Sequence, residues 1–238
     1  MIPGASRTAL VTGASRGIGA TVALSLAAGG FRTALLARSV DQLASKAKEA
    51  GNDSFAVQCD VTDDSSIDRA VLEVRSQFGG APDIIVNNAG LFVIRPLEEM
   101  PQQEFDMILA TNLRAPFRLV REFLPEMRRR GSGHIVTIGS IADRHIFAGN
   151  AAYSATKYGQ RAMHEVLREE TRGTGIRATL ISPAAVDTDI WEPIQFVGTD
   201  ARPDRLGMLD PDAVSAAVMF AVTRPSEVNV DELRLSRS

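Results

Sequence analysis

The sequence predicts a doubly wound α/β fold, three layers deep, with a parallel sheet between two layers of helices. Three observations carry this. Short apolar runs alternate with longer amphipathic runs six or seven times along the chain. The short runs are Val, Ile, Leu and Ala without polar alternation, as in strands covered on both faces. A glycine-rich turn separates the first strand from the first helix.

Thr8–Thr12 (TALVT) is the first strand, closed by Gly13. Ile18–Gly29 is small and apolar and long enough for a buried helix. Thr33–Ala37 (TALLA) is the second strand and Val40–Ala50 the second helix. Ser54–Cys59 is a strand; Ser65–Phe78 carries Ile67, Val71, Val74 and Phe78 at helical spacing. Asp83–Val86 is a strand ending at Asn87, and Gln103–Arg130 reads as one long helix. His134–Ile138 is a strand, Ala151–Arg172 a helix and Arg177–Ile181 a strand. Pro211–Val222 reads as a helix and Val228–Leu235 as the last strand.

No linker, repeat or low-complexity segment interrupts the pattern, so residues 1–238 are expected to form one domain. The least regular segment is Asp187–Asp210, with Pro193, Gly198, Pro203 and Gly207. A loop of that length in a compact domain points to a lid or binding loop, with Trp191 and Phe196 as its pocket residues.

Composition excludes several classes. Twenty-six basic against 29 acidic residues give a net charge of −3, which is no electrostatic footprint for nucleic acid. A single cysteine, Cys59, builds no disulfide framework and points to a reducing, cytoplasmic setting; on a strand it reads as a small buried hydrophobe. No charge-free apolar run reaches about 18 residues, so no membrane span is expected, and the first residues lack a signal-peptide core. His134, His145 and His164 show no metal-ligand spacing, so no metal is expected. The basic residues are 23 Arg and only three Lys: Lys46, Lys48 and Lys157.

Thr12-Gly13-Ala14-Ser15-Arg16-Gly17-Ile18-Gly19 follows the first strand and opens the first helix. Glycines there allow a tight turn and close approach of a pyrophosphate to free helix N–H groups. A simple tight turn is the alternative for the glycines alone. Further on stand Asn87-Asn88-Ala89-Gly90, Ser140, and Tyr153 four residues before Lys157. With T-G-x-x-x-G-x-G these motifs, in this order, resemble the short-chain dehydrogenases/reductases, from about Arg7 to Asp189. The resemblance implies a seven-stranded Rossmann sheet and an oxidoreductase acting on a small-molecule carbonyl or alcohol.

The second strand ends Leu36-Ala37-Arg38-Ser39, with no acid for a ribose 2′-hydroxyl. Arg38 forks well onto a phosphate, Ser39 opens the next helix, and Arg16 is a second cation in reach. Two ordinary surface arginines are the alternative. NADP(H) is the expected cofactor. By resemblance, Gly13, Ser15, Gly17, Ile18 and Gly19 border the pyrophosphate, Asp60 and Val61 the adenine, and Asn88, Ala89 and Gly90 the adenosine ribose. Pro183, Val186 and Thr188 match positions near the nicotinamide amide. Ala184 stands where the family usually has glycine; it is harmless unless φ there is positive.

A carbonyl that receives a hydride needs a proton donor. Tyr153 and Lys157 share a helix face. Lowering a phenol from about 10 toward 7 takes roughly 4 kcal/mol, to which the Lys157 ammonium and a cationic nicotinamide can contribute. Lys157 is also expected on the nicotinamide ribose. Ser140, just past the fifth strand, is placed to donate to the substrate oxygen. Asn112 is the fourth member by resemblance. Pro116 has no N–H, so the Asn112 carbonyl loses its helical partner and is free to hold a water linking Lys157 to solvent; a plain proline kink is the alternative.

The preferred reading is an NADP(H)-dependent carbonyl reductase or alcohol dehydrogenase. A 3-oxoacyl-thioester reductase of fatty-acid synthesis is the alternative within the family, although the usual C-terminal glycine pair is absent and the ending is more similar to reductases of small carbonyls or hydroxy acids. A non-catalytic NADP-sensing regulator is disfavoured because Tyr153 and Lys157 are both kept. The two long helices are where the family makes dimer contacts, so a homodimer or homotetramer is expected.

Overall fold

In the computed structural model, residues 7–192 and 205–238 are described. Among the described residues are seven strands and seven α-helices, beginning β1 (Thr8–Thr12), α1 (Gly17–Ala28), β2 (Arg32–Ala37), α2 (Val40–Ala50), β3 (Phe55–Gln58), α3 (Asp64–Phe78) and β4 (Ile84–Asn87). There follow α4 (Gln102–Leu109), α5 (Ala115–Arg130), β5 (Gly133–Ile138), α6 (Ala151–Thr171), β6 (Ile176–Pro183), α7 (Pro211–Val222) and β7 (Glu232–Leu235).

The strands form one parallel sheet in the order β3-β2-β1-β4-β5-β6-β7. The order reverses between β1 and β4. At that switch point the loops after two adjacent strands part to opposite faces, leaving a crevice at the carboxyl ends. Each face has its own core. One packs Val22 and Leu26 of α1, Leu43 of α2 and Val218 of α7 on the sheet. The other packs Ile67 and Val74 of α3 with Leu119, Phe123 and Met127 of α5. The doubly wound, seven-stranded Rossmann arrangement expected from the apolar strands is therefore present.

The stretch expected as one helix from Gln103 is continuous but not uniform. A π turn, Ala110–Arg114, joins α4 to α5, and Ala115 N–H bonds the Ala110 carbonyl five residues back. The cause is legible in sequence: Pro116 cannot donate to Asn112, and the backbone widens just before it. The last strand is shorter than expected, beginning at Glu232. Of the expected lid, Asp189–Trp191 is a short 3-10 turn and Val186 bridges Leu209. Pro193, Phe196, Gly198 and Pro203 lie outside the described residues. No described helix is long and apolar enough to cross a membrane.

Candidate active site

The carboxyl ends of the strands line a cleft of about 1440 Å³. Among the described residues, every one expected at the site borders it except Gly19 and Asn112, which support it from behind. At one end lies the turn after β1. Gly17 has φ +55°, which suits glycine, and turns the chain into α1. A Cβ on Gly19 would collide with the Gly13 carbonyl and the Asn88 side chain. The turn is thus a backbone cradle at a helix N-terminus, the geometry that accepts a pyrophosphate.

Asn88 holds that cradle in place. Its Nδ2 donates to the Thr12 carbonyl at 2.9 Å, while Thr12 Oγ1 accepts from the N–H groups of Asn88 and Ala89, each at 3.0 Å. Asp60 fixes the turn after β3: its Oδ1 accepts from Thr62 N–H at 2.9 Å and from Thr62 Oγ1 at 2.7 Å. Arg38 is exposed, and no carboxylate pairs with it among the described residues. Ser39 is the N-cap of α2, with no bond from its hydroxyl to the helix end. Arg16 instead sits 3.8 Å from Asp189, both largely exposed. These groups, with the cradle, fit a dinucleotide.

At the other end, Ser140 from the turn after β5 and Tyr153 and Lys157 from α6 converge. The Ser140 side chain acts on the Tyr153 phenol, favouring its anion, and Lys157 Nζ lies 5.5 Å from the centre of the Tyr153 ring. Nζ donates to the Ile138 carbonyl at 3.0 Å and to Gln160 Oε1 at 2.9 Å. Asn112 is fully buried. Its side chain exchanges two bonds with the Leu91 backbone, at 2.8 and 2.9 Å, and donates to Thr156 Oγ1 at 3.1 Å. It therefore ties the loop after β4 to α6. Pro116 offers the Asn112 carbonyl no N–H, and that carbonyl accepts from Gln160 Nε2.

The profile of the short chain dehydrogenases matches residues 7–196. The chain belongs to the short-chain dehydrogenase/reductase family. An uncharacterized oxidoreductase of Staphylococcus saprophyticus is 33% identical over 231 residues, covering 95% of this chain and 94% of that one. Among solved structures, an alcohol dehydrogenase from the archaeon Thermococcus sibiricus, complexed with 5-hydroxy-NADP, matches with 33% identity and a TM-score of 0.85, covering 97% of this chain and 96% of that chain. A metagenomic short-chain oxidoreductase in complex with NADP matches at 32% and 0.83, with 98% of each chain covered. A serine dehydrogenase complexed with NADP+ matches at 30% and 0.88, covering 97% and 94%. The chain is thus an oxidoreductase of a nicotinamide-using family.

In this short-chain dehydrogenase the protein surroundings shift both Tyr153 and Lys157. The Tyr153 phenol is not lowered by the protein alone; it is pushed up to about 12, first by burial and then by the Asp143 carboxylate, against the Ser140 hydrogen bond. Desolvation and a buried like charge outweigh the Ser140 hydroxyl. Lys157 is brought down to about 8 by burial, with Asp143 opposing. The Cys59 thiol is raised to about 11 by burial, which makes it the inert apolar residue expected. Ala184 does not have a positive φ, so the departure from glycine costs nothing.

Three residues escaped the motif reading. Phe92 stacks edge-on between Tyr153, centroids 4.7 Å apart, and Trp191, 5.1 Å apart. Gln160 bonds Lys157. Asp143 is fully buried, and its charge acts on both Tyr153 and Lys157. Gln160 lay three residues beyond Lys157, on the same helix face, and that spacing was the available signal.

Proposed function

We propose that this chain moves a hydride between NADP(H) and an uncharged carbonyl or secondary alcohol, with Tyr153 as the proton donor or acceptor. The observation that carries the reading is one cleft with Arg38 and Ser39 at one end and Ser140, Tyr153 and Lys157 at the other. Bound NADPH supplies the hydride.

Ser140 and Tyr153 orient the substrate oxygen, and Tyr153, kept protonated by its surroundings, donates as the alkoxide develops. Lys157 holds a positive charge beside the tyrosine and reaches the ribose hydroxyls. Asn112 acts through others, by pinning Leu91 and α6. Arg38, with the Ser39 hydroxyl, grips the 2′-phosphate; two of the NADP-bound relatives support that cofactor.

The substrate end is apolar. Phe92, Ile94, Met107, Ile146, Phe147 and Trp191 line it, and the arginines bordering the cleft, Arg16 and Arg38, stand at the phosphate end. Among the described residues no cation waits there for a carboxylate, which favours hydrophobic ketones over hydroxy acids. Assembly into a dimer or tetramer belongs to the same reading: Phe117 of α5 and Val166 of α6 are half exposed, at 50% and 55%. Sedimentation as a monomer alone would count against it.

The test is a panel of ketones, 3-oxoacyl thioesters and hydroxy acids scored by NADPH oxidation or NADP+ reduction. Turnover of apolar ketones, lost in Tyr153→Phe with NADPH binding intact, is the expected result. Undiminished turnover by Tyr153→Phe overturns the mechanism.

A further inference from the structure

Lys157 is buried, 5% exposed, and an ammonium in that position needs acceptors for its protons. The structure supplies two: the Ile138 carbonyl at 3.0 Å and Gln160 Oε1 at 2.9 Å. Gln160 is itself buried, 3% exposed, and its Nε2 donates to the Asn112 carbonyl. The orientation of this amide is not free. An ammonium only donates and a carbonyl only accepts, so the oxygen must face Lys157 and the nitrogen must face Asn112. The carbonyl at the far end is the one that Pro116 deprives of its helical N–H. One side chain therefore satisfies two buried polar groups that the helix geometry leaves in need.

We infer that Gln160 is a positioning residue for Lys157, a fixed amide bridge between the lysine and the π turn. This inference rests on the proposed role of Tyr153 and Lys157. The bridge does three things. It fixes the direction of the Lys157 side chain toward the cleft, favours the charged lysine by accepting from it, and couples α6 to the turn that carries Asn112. An amide that accepts on one side and donates on the other holds both neighbours in place.

The other groups around Nζ are few. The Asp143 carboxylate acts on it from the turn after β5, the Tyr153 phenol from its own helix, and the π turn presents only the neutral Asn112. Asp143 favours the charged lysine and is untouched by changes at position 160, so the contribution of Gln160 is separable.

The chain has only three lysines, so the cofactor-free protein labelled with 13C at lysine Cε gives a spectrum in which Lys157 is readily followed through a pH titration. Gln160→Met keeps the volume and removes both hydrogen bonds. Its Lys157 midpoint is expected to fall by about one pH unit, the tenfold change that loss of a bond to a charged group implies. The alkaline limb of kcat/KM for carbonyl reduction is expected to move down with it.

Gln160→Ala leaves a polar space that takes a water with two partners, and is expected to return both readouts toward wild type even though it removes more of the side chain. A Lys157 midpoint unmoved in Gln160→Met overturns the inference. So does Gln160→Ala displaced further than Gln160→Met, which is the order of a residue that only fills space. Tyr153→Phe separates this inference from the one beneath it: full turnover there refutes the proton-donor reading, while the lysine titration still judges Gln160.

Discussion

The Asp143 carboxylate and the Ser182 hydroxyl meet at 2.5 Å, both fully buried. The other carboxylate oxygen accepts from Arg144 Nε at 2.6 Å, and Arg144 in turn reaches Glu232 of β7 at 2.6 Å. This chain of charge joins the Ser140 turn to the edge of the sheet. It also places a negative charge near Tyr153 and Lys157, where it raises both.

Asp143→Asn therefore has two expected effects. Weakening the Ser182 and Arg144 hydrogen bonds to a charged acceptor costs about 2 kcal/mol, seen as a lower denaturant midpoint at unchanged slope. Removing the charge lowers the pKa of both catalytic groups, so both limbs of the pH–rate profile move to lower pH. Limbs that stay in place would show that Asp143 is structural only.

Arg38→Ala is expected to weaken NADPH by tenfold or more, since a charged hydrogen bond contributes about 1.5–3 kcal/mol. NADH, which lacks the 2′-phosphate, should be nearly unaffected. Titration of both dinucleotides against cofactor fluorescence decides it. A parallel loss for the two would place Arg38 elsewhere than on the phosphate.

Phe92→Ala removes the ring that fills the space between Tyr153 and Trp191. The predicted consequence is a rise in KM of about tenfold for bulky apolar ketones, from lost contact area, with a smaller change in kcat for small ones. Steady-state kinetics across ketones of increasing size check this, and a uniform loss of kcat at unchanged KM contradicts it.

The sequence and the structure agree most closely where one physical constraint acts alone. Continuous apolar strands are compatible only with a doubly covered sheet, and the glycine turn has few uses after a first strand. The pairing of Tyr153 and Lys157 follows from helical spacing. Motifs could not show that the Asn112 carbonyl is bonded to Gln160, because that contact joins residues 48 apart in sequence across two packed helices. Nor could they foresee the direction of the Tyr153 shift. A motif names the groups that meet, whereas desolvation and the Asp143 charge depend on everything packed around them. Phe92 was hidden for a simpler reason: a lone aromatic in a loop has no periodicity to read.

His134 yields a stability prediction with a definite sign. It lies on β5, 1% exposed, with Nε2 2.8 Å from Thr179 Oγ1. Burial, with Arg177 and His164 adding to it, brings it from 6.5 down to about 3. Between those values the unfolded chain binds a proton that the folded chain refuses, so stability falls as pH falls. From pH 6.5 to 4.5 the loss is about 2 kcal/mol from this residue. His134→Gln keeps a polar partner for Thr179 but does not titrate. Carboxylates and His164 titrate in both proteins and cancel in the difference. The wild type is therefore expected to lose about 2 kcal/mol more than His134→Gln across this window in urea melts. Parallel pH dependences would mean that His134 is protonated in the folded state.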